Sequence, residues 1–321
     1  GGGSNRHFHV KAGGHLVIRN LNLTGGNVSA AEENGGSVLV DGGRFTAFDS
    51  VLTKNSANYG GAVYGSNSAT LRLRTVNVSY GTAILRGGAV YIEGTTSSLI
   101  VEFSGIYGNV AHAGDKGGGV YCYRSKCTVV QSVIQNNSAG LGGGLYGQGG
   151  AFVVVKDSNV SHNWAYNNGG GGIFMENLDS KLTVAGGRIF NNTQSGASGY
   201  GGGIHCKSVC ILNNTKIESN IGTNGGGIAS DGDLIIAHDT KLLQNFARGW
   251  GGGIYLGASS VTNITNVHFT ENQAMMKGGG IHISHSSDGG STKLYISRSV
   301  FERNNVIHSC CDHGGGGLSI Y

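Results

Sequence analysis

The feature that most constrains this chain is a glycine doublet that returns about every 27 residues along its length. Each doublet leads into a small residue and then an aliphatic one, as in Gly35-Gly36-Ser37-Val38 and Gly60-Gly61-Ala62-Val63. The aliphatic positions are Val38, Val63, Val90, Val120, Leu145, Ile173, Ile204, Ile228, Ile254, Ile281 and Leu318, separated by 24 to 37 residues. A recurrence of this length marks a repeat architecture, in which each unit is one supersecondary element that needs its neighbours.

The element is not a helix. Gly costs about 1 kcal/mol relative to Ala in a helix interior, and 61 of the 321 residues are Gly. Between the doublets run alternating segments such as Leu71-Arg72-Leu73, Phe152-Val153-Val154-Val155, Leu182-Thr183-Val184 and Leu294-Tyr295-Ile296. Period-two alternation with glycine punctuation reads as short strands. The glycines have no three-residue period, which excludes collagen, and 12% charged with 38% hydrophobic residues argues against disorder. About 27 residues with two or three short strands make one turn of a parallel coil. One coil cannot bury its apolar side, so neighbours stack, about 4.8 Å apart. The reading is all-β: a right-handed single-stranded parallel β-helix of about eleven coils, one domain over residues 1–321. The chain opens on Gly1-Gly2-Gly3-Ser4 and closes within the strand-like Leu318-Ser319-Ile320-Tyr321, which reads as a segment of a longer chain.

A second motif precedes most doublets: an apolar residue, two free positions, Asn, one free position, and often Ala. It appears as Leu52…Asn55…Ala57, Ile106…Asn109…Ala111, Ile134…Asn137…Ala139 and Val160…Asn163…Ala165, then as Ile189…Asn192 and Ile217…Asn220. It continues through Leu242…Asn245, Phe269…Asn272 and Phe301…Asn304, and one coil carries Gly81 in the Asn place. These Asn residues are expected to form a ladder, each in the left-handed region and donating its amide to an adjacent coil.

Gly60-Gly61-Ala62-Val63 and Gly87-Gly88-Ala89-Val90, with Phe269-Thr270-Glu271-Asn272 and Phe301-Glu302-Arg303-Asn304, resemble the tandem repeat of the polymorphic outer-membrane proteins. The opening, Phe8-His9-Val10 followed by Gly13-Gly14-His15-Leu16-Val17-Ile18, is similar to the first coils of pectin-lyase-like β-helices. The resemblance covers essentially the whole chain. It implies a secreted or surface-displayed adhesin or structural passenger.

Net charge is +4 and the Lys and Arg residues are scattered, so there is no basic stripe of the kind a nucleic-acid binder needs. No run of about eighteen apolar residues is present to span a bilayer as a helix. No cofactor motif is found. The six cysteines fall in three close pairs. Cys122 and Cys206 share a register three coils apart, about 14 Å and beyond disulfide reach. Each is therefore expected to bridge locally, Cys122 to Cys127 and Cys206 to Cys210. Cys310 and Cys311 stay open, as a vicinal bridge or as two partners of cysteines elsewhere. His308 and His313 flank them, but that spacing matches no usual zinc site. Eight Asn-x-Ser/Thr sequons, at Asn22, Asn27, Asn77, Asn136, Asn159, Asn191, Asn213 and Asn263, are expected to carry N-glycans if the source is eukaryotic.

The β-helix fold also hosts polysaccharide lyases and glycoside hydrolases, and fold alone does not decide function. Glycoside hydrolysis needs two carboxylates about 5–9.5 Å apart, here acids at one register on adjacent coils. Glu218 and Glu302 share a register but lie three coils apart, and Glu271 is one place over. Asp231 and Asp233 form a turn-like pair without an acidic partner on either adjoining coil, and Asp41, Asp157 and Asp239 occupy unrelated places. His205 and His282 are likewise three coils apart. Cys311-Asp312-His313 is no triad, since neighbours on a strand face opposite ways. The chain is read as non-catalytic, with a carbohydrate-active enzyme as the alternative.

The residue just past each coil's aliphatic position is Tyr64, Tyr91, Tyr121, Tyr146, Phe174, His205, Ala229, Tyr255, His282 or Ser319. Strand alternation points this column outward. It is expected to form an exposed aromatic stripe, with Tyr64, Tyr91, Tyr121, Tyr146, Phe174 and Tyr255 as a partner or glycan face. The plainer alternative is that stacked rings only bind coil to coil. Together these features describe an extracellular or cell-surface structural and adhesive rod. Its expected partners are other copies, end to end among the arrangements, other surface proteins, and glycans.

Overall fold

The computed structural model describes residues 5–28, 33–112, 114–257, 260–284, 292–307 and 315–320. The described residues are strands, bridges and turns; the strands pair in parallel from coil to coil, and the isolated Lys11–Gly42 bridge is antiparallel. One sheet contains the twelve strands that begin at Phe8–Lys11 and Val38–Asp41 and end at Leu318–Ile320. It is called the doublet sheet below, because all but the first of its strands start at the aliphatic residue after a glycine doublet. A second, bent sheet follows it around each coil, from His15–Arg19 and Asn22–Thr24 to Lys293–Ser297 and Val300–Glu302. Two long strands, Arg44–Thr53 and Thr70–Ser79, run across the bend without a break. A third sheet of ten short strands, from Ser56–Tyr59 to Asn305–Val306, closes the coil. The expected coil repeat is therefore present, with Phe8–Lys11 added ahead of the first doublet.

Register follows the motif. Val63 pairs with Val38 and Val90, Val90 with Val120, and the column continues through Leu145, Ile173 and Ile204 to Leu318. From Val38 to Ile281 these residues point into one apolar core that runs from Val10 to Ile283, and the last, Leu318, is exposed. Two places on lies a second inward column, where size varies from coil to coil. Met175 fills the space next to Gly147, whose added Cβ would meet the Met175 Cε at 2.7 Å. Cys122 and Cys206 also belong to this column, and they form the disulfides Cys122–Cys127 and Cys206–Cys210, with Cα–Cα distances of 6.5 and 6.4 Å. Both local pairings expected from the spacing are thus made, and each pins the corner between the doublet sheet and the bent sheet. Cys310, Cys311, His308 and His313 lie outside the described residues.

The doublet corner explains its own composition. Gly60 has φ +62°, and the next residue, Gly61, would set a Cβ 2.2 Å from the Gly88 carbonyl oxygen of the following coil. The first glycine supplies the left-handed turn and the second the close approach, so neither accepts a side chain there.

The Asn ladder is continuous from Asn109 to Asn304. Each amide donates to the next coil's Asn Oδ1, as in Asn137 Nδ2 to Asn163 Oδ1 at 3.0 Å and Asn163 Nδ2 to Asn192 Oδ1 at 2.9 Å. The same Oδ1 accepts the preceding Asn backbone N–H, and Asn163 Nδ2 also donates back to the Ile134 carbonyl at 3.0 Å. These amides are buried and saturated. The left-handed residue is not the ladder Asn, as expected, but the one before it: Lys54 at φ 55°, His162 at 53°, Gln244 at 53°. At the gap, Gly81 N–H still donates to Asn109 Oδ1 at 2.8 Å.

A second ladder, not foreseen in the sequence, lies at the bend of the second sheet. Val76, Ser104 and Ser132 N–H donate to the hydroxyls of Ser104, Ser132 and Ser158 on the next coil, at 2.9, 3.1 and 3.0 Å. Each hydroxyl in turn donates to a carbonyl two residues back, 2.7 Å away for Ser104, Ser132 and Ser158. Thr215, Thr240 and Ser299 repeat the pattern further along.

Leaving a buried amide's partners unsatisfied is more costly than the net worth of the bonds it made. Asn163→Ala is expected to lower stability by about 2–4 kcal/mol, whereas Asn136→Gly, at the exposed left-handed corner just before ladder Asn137, changes it by less than about 0.5 kcal/mol. Denaturant melts of the two variants check this, and equal effects would contradict the ladder's role.

Candidate functional site

Each coil sets three columns on the outer surface of the doublet sheet. The first is the residue before the doublet: Asn34, Tyr59, Arg86, Lys116 and Leu141 bridge one to the next, and Tyr200–Asn224 and Trp250–Lys277 continue the line. The second is the predicted aromatic column. The third lies two residues beyond it and holds Glu93, Tyr123, Gln148, Glu176, Lys207 and Asp231.

The rings of the middle column stack. Tyr64 and Tyr91 lie 5.2 Å apart and within 5° of parallel, Tyr91 and Tyr121 4.8 Å, and Tyr121 and Tyr146 5.0 Å. Phe174 meets Tyr146 edge-on at 5.2 Å and stacks on His205 at 4.5 Å. Further along, Tyr255 and His282 stack at 5.8 Å, and Trp250 stacks on both. The column faces away from the main core, as alternation requires, and Tyr64 to Phe174 form a separate apolar cluster. It is not exposed. Tyr121 and Tyr146 are 0% accessible, Phe174 2%, Tyr91 3%, Tyr255 6% and Tyr64 8%. The expected exposed stripe is corrected to a buried seam, because the first column leans across it. The Arg86 guanidinium lies 5.7 Å from the Tyr121 ring centre and the Lys116 ammonium 5.0 Å from that of Tyr146. Lys116 then crosses to the third column and pairs with Glu176 at 3.0 Å. Leu141 and Tyr59 pack alongside.

Burying a hydroxyl demands an acceptor, and the third column supplies it. Tyr64 and Tyr91 donate to the two oxygens of Glu93, at 2.6 and 3.0 Å, and Tyr121 to Gln148 Oε1 at 2.6 Å. Tyr146 donates to Glu176, and His205 Nε2 lies 3.2 Å from Asp231 Oδ2. Burial, helped by the nearby Glu93 and Glu176 carboxylates, pushes the Tyr64, Tyr91 and Tyr146 hydroxyls well above the ordinary tyrosine range, and burial does the same at Tyr121. Burial works to raise Glu176, yet the Tyr146 hydroxyl and the Lys116 ammonium hold its carboxyl below the usual range. Burial lowers His205 against the pull of Asp231, and lowers His282 to about 4 with Lys277 adding to it.

This acceptor column is the functional signal that sequence reasoning missed, although a polar residue at a fixed place after each aromatic was there to be read. Glu176, Lys207 and Asp231 share one register on three successive coils, since the residues before them pair Met175–Cys206–Ser230. With Asp179 and Leu178 they line an open groove of about 640 Å³. Both in-register acids are already committed, Glu176 to Tyr146 and Lys116, Asp231 to His205. The acids weighed for catalysis fall as expected: between Glu218 and Glu302 the same register carries Leu243 and Thr270. No group of three or more metal-ligating side chains occurs among the described residues, and no described helix is long and apolar enough to cross a membrane.

Comparison with known proteins bears on the fold directly. The profile of the family described as "Right handed beta helix region" matches residues 6–189. The chain belongs to this right-handed β-helix family. Two relatives carry the same kind of sequence. A probable autotransporter, YfaL, of Escherichia coli (strain K12) is 26% identical over 81% of this chain and 20% of its own length. Metabotropic glutamate receptor-like protein R of Dictyostelium discoideum is 28% identical over 64% of this chain and 10% of its own. The chain therefore spans a fifth or less of the relatives it matches. No solved structure matches.

The sequon asparagines all reach the outer surface of this β-helix. Asn22, Asn27, Asn77, Asn136, Asn191 and Asn263 are exposed, and Asn159 and Asn213 are partly so. Asn136 and Asn191 are the left-handed corner residues directly before ladder Asn137 and Asn192, with φ 57° and 52°.

The seam makes stability depend on pH through its imidazoles. His282 binds its proton less readily folded than unfolded, so stability rises with pH between about 4 and the ordinary value of 6.5 and is lost as pH falls through that window. The contribution is on the order of 2–3 kcal/mol. His282→Phe keeps a ring against Tyr255 and Trp250 and is expected to flatten this acid limb. Melting curves of wild type and variant that run parallel from pH 7 to pH 4 would refute it.

Proposed function

We propose that the chain is part of an extracellular or cell-surface rod whose role is structural and adhesive rather than catalytic. The observation that carries the reading is that the outward polar and aromatic columns are spent on joining coils. The Tyr hydroxyls, Glu93, Gln148 and Glu176 satisfy one another along the axis, which suits a stiff repetitive surface better than a reaction centre. Three further features support the location. Two disulfides sealed in the core fit an oxidising compartment. The sequons reach the surface. One relative is described as a probable autotransporter, a distant hint of surface display. Other copies, other surface proteins and glycans are the proposed partners.

Protein immobilised on beads is expected to retain cells or polysaccharide-coated surfaces while leaving acidic and neutral polysaccharides uncut. Release of reducing ends or unsaturated products would favour a lyase or hydrolase instead. If the protein is made in a eukaryotic host, glycosidase treatment is expected to lower its intact mass, and an unchanged mass would remove the glycoprotein claim.

A further inference from the structure

Where the seam begins, its cover is incomplete. Around Tyr64 and Tyr91 the surface sinks into a cleft of about 330 Å³, walled by Tyr59 and Arg86 on one side and Glu93 and Tyr123 on the other, with Asn34 at its end. Tyr59 and Tyr123 are only partly buried, whereas Tyr121, one coil further in, is 0% accessible.

The charges along the seam differ at this place. Lys116 is answered across the seam by Glu176, which stands two coils further on. Arg86 is the equivalent residue one coil earlier, and the place two coils beyond it is Gln148, whose Oε1 is taken by Tyr121. Among the described residues no carboxylate lies within ion-pair distance of Arg86. Asp115 is near enough to feel its charge without pairing, and Arg86 instead lies over the Tyr121 ring, with the Tyr121 and Tyr91 hydroxyls near its charge. An independent observation marks the opposite end of the cleft: the Asn34 Oδ1 is buried and, among the described residues, has no hydrogen-bond partner.

We infer that this cleft binds a carboxylated pyranose, a uronic or a sialic acid at the end or along the length of a glycan. The inference rests on the adhesive reading above and gives it a site. An arginine fork matches a carboxylate with two parallel bonds. Flat tyrosine faces take the C–H face of a sugar ring, and Tyr59 and Tyr123 stand on opposite walls with part of their surface open. The Asn34 amide at the end of the cleft and the remaining lone pairs of Glu93 meet sugar hydroxyls. The volume is at the lower end of ligand pockets, which begin near 300 Å³, so one ring enters and the rest of the glycan lies along the rod.

Calorimetric titration of the whole chain with three tetrasaccharides tests this: one ending in glucuronic acid, one ending in sialic acid, and their neutral parent. Binding of at least one acidic probe is expected, at least tenfold tighter than the neutral one, and the two acidic arms separate uronate from sialate. Arg86→Gln is expected to lose at least tenfold for the acidic probe, with Arg86→Lys recovering part of the loss. Asn34→Ala, which touches none of the tyrosine hydroxyls, is expected to lose about threefold and serves if Arg86→Gln fails to fold. Equal affinity for acidic and neutral probes, no binding by wild type, or unchanged binding in both Arg86→Gln and Asn34→Ala would overturn the site. Bead adhesion that persists in Arg86→Gln removes this site and leaves the adhesive reading standing. Acidic-sugar binding by a protein that fails to adhere keeps the site and removes that reading.

Discussion

A parallel coil can exist only if its backbone comes within hydrogen-bond reach of the next coil all the way round, and the glycine doublet is where that demand is tightest. At Gly61 a Cβ would lie 2.2 Å from the Gly88 oxygen, so any side chain there would push two coils apart. The corner fixes the start of every doublet-sheet strand, and the register Val38–Val63–Val90–Val120 follows from it. With register fixed, identical chemistry lands on identical chemistry. Asn stacks on Asn, Ser on Ser, Tyr on Tyr, and each ladder closes hydrogen bonds that one coil could not close alone.

The same repetition builds two apolar layers rather than one. The inner core takes the aliphatic column and its neighbours two places on. The residue between them has nowhere inward to go, yet it carries a large ring on most coils. Stacking at 4.8 to 5.2 Å from Tyr64 to Tyr146 satisfies the ring faces, and the acceptor column satisfies the hydroxyls. The cations Arg86 and Lys116 then close the top. The outer surface of the doublet sheet is thereby a small core of its own. A loosely covered stretch lies around Tyr64 and Tyr91, beside Arg86, whose opposite place on the acceptor column is Gln148 where Lys116 has Glu176.

The repeat, the strands, the sheet stacking and the Asn ladder were legible in the sequence because each depends on one residue type at one spacing. So were the local disulfides, since three coils of separation exclude the alternative. Other features needed coordinates. Whether the column of Tyr64 to Tyr255 is open or covered depends on how far Arg86, Lys116, Leu141 and Trp250 lean, and those residues end a stretch between the third sheet and the doublet whose length differs from coil to coil. The left-handed corner falls on chemically mixed residues, Lys54, His162 and Gln244 among them, so the sequence pointed to the adjacent Asn instead. The Ser/Thr ladder was hidden by its irregular membership, which runs from Ser158 past Gly187 to Thr215. Glu176 and Asp231 were overlooked in register because Lys207 lies between them and no acid is adjacent.

The aromatic column is roofed rather than displayed, and the rate at which each tyrosine is modified in the native protein measures this directly. Brief nitration or iodination followed by peptide mass spectrometry is expected to label Tyr80, Tyr166 and Tyr295, which are 65%, 44% and 57% exposed, and to spare Tyr91, Tyr121 and Tyr146. Labelling of Tyr121 and Tyr146 as fast as Tyr80, in protein that remains folded, would contradict it.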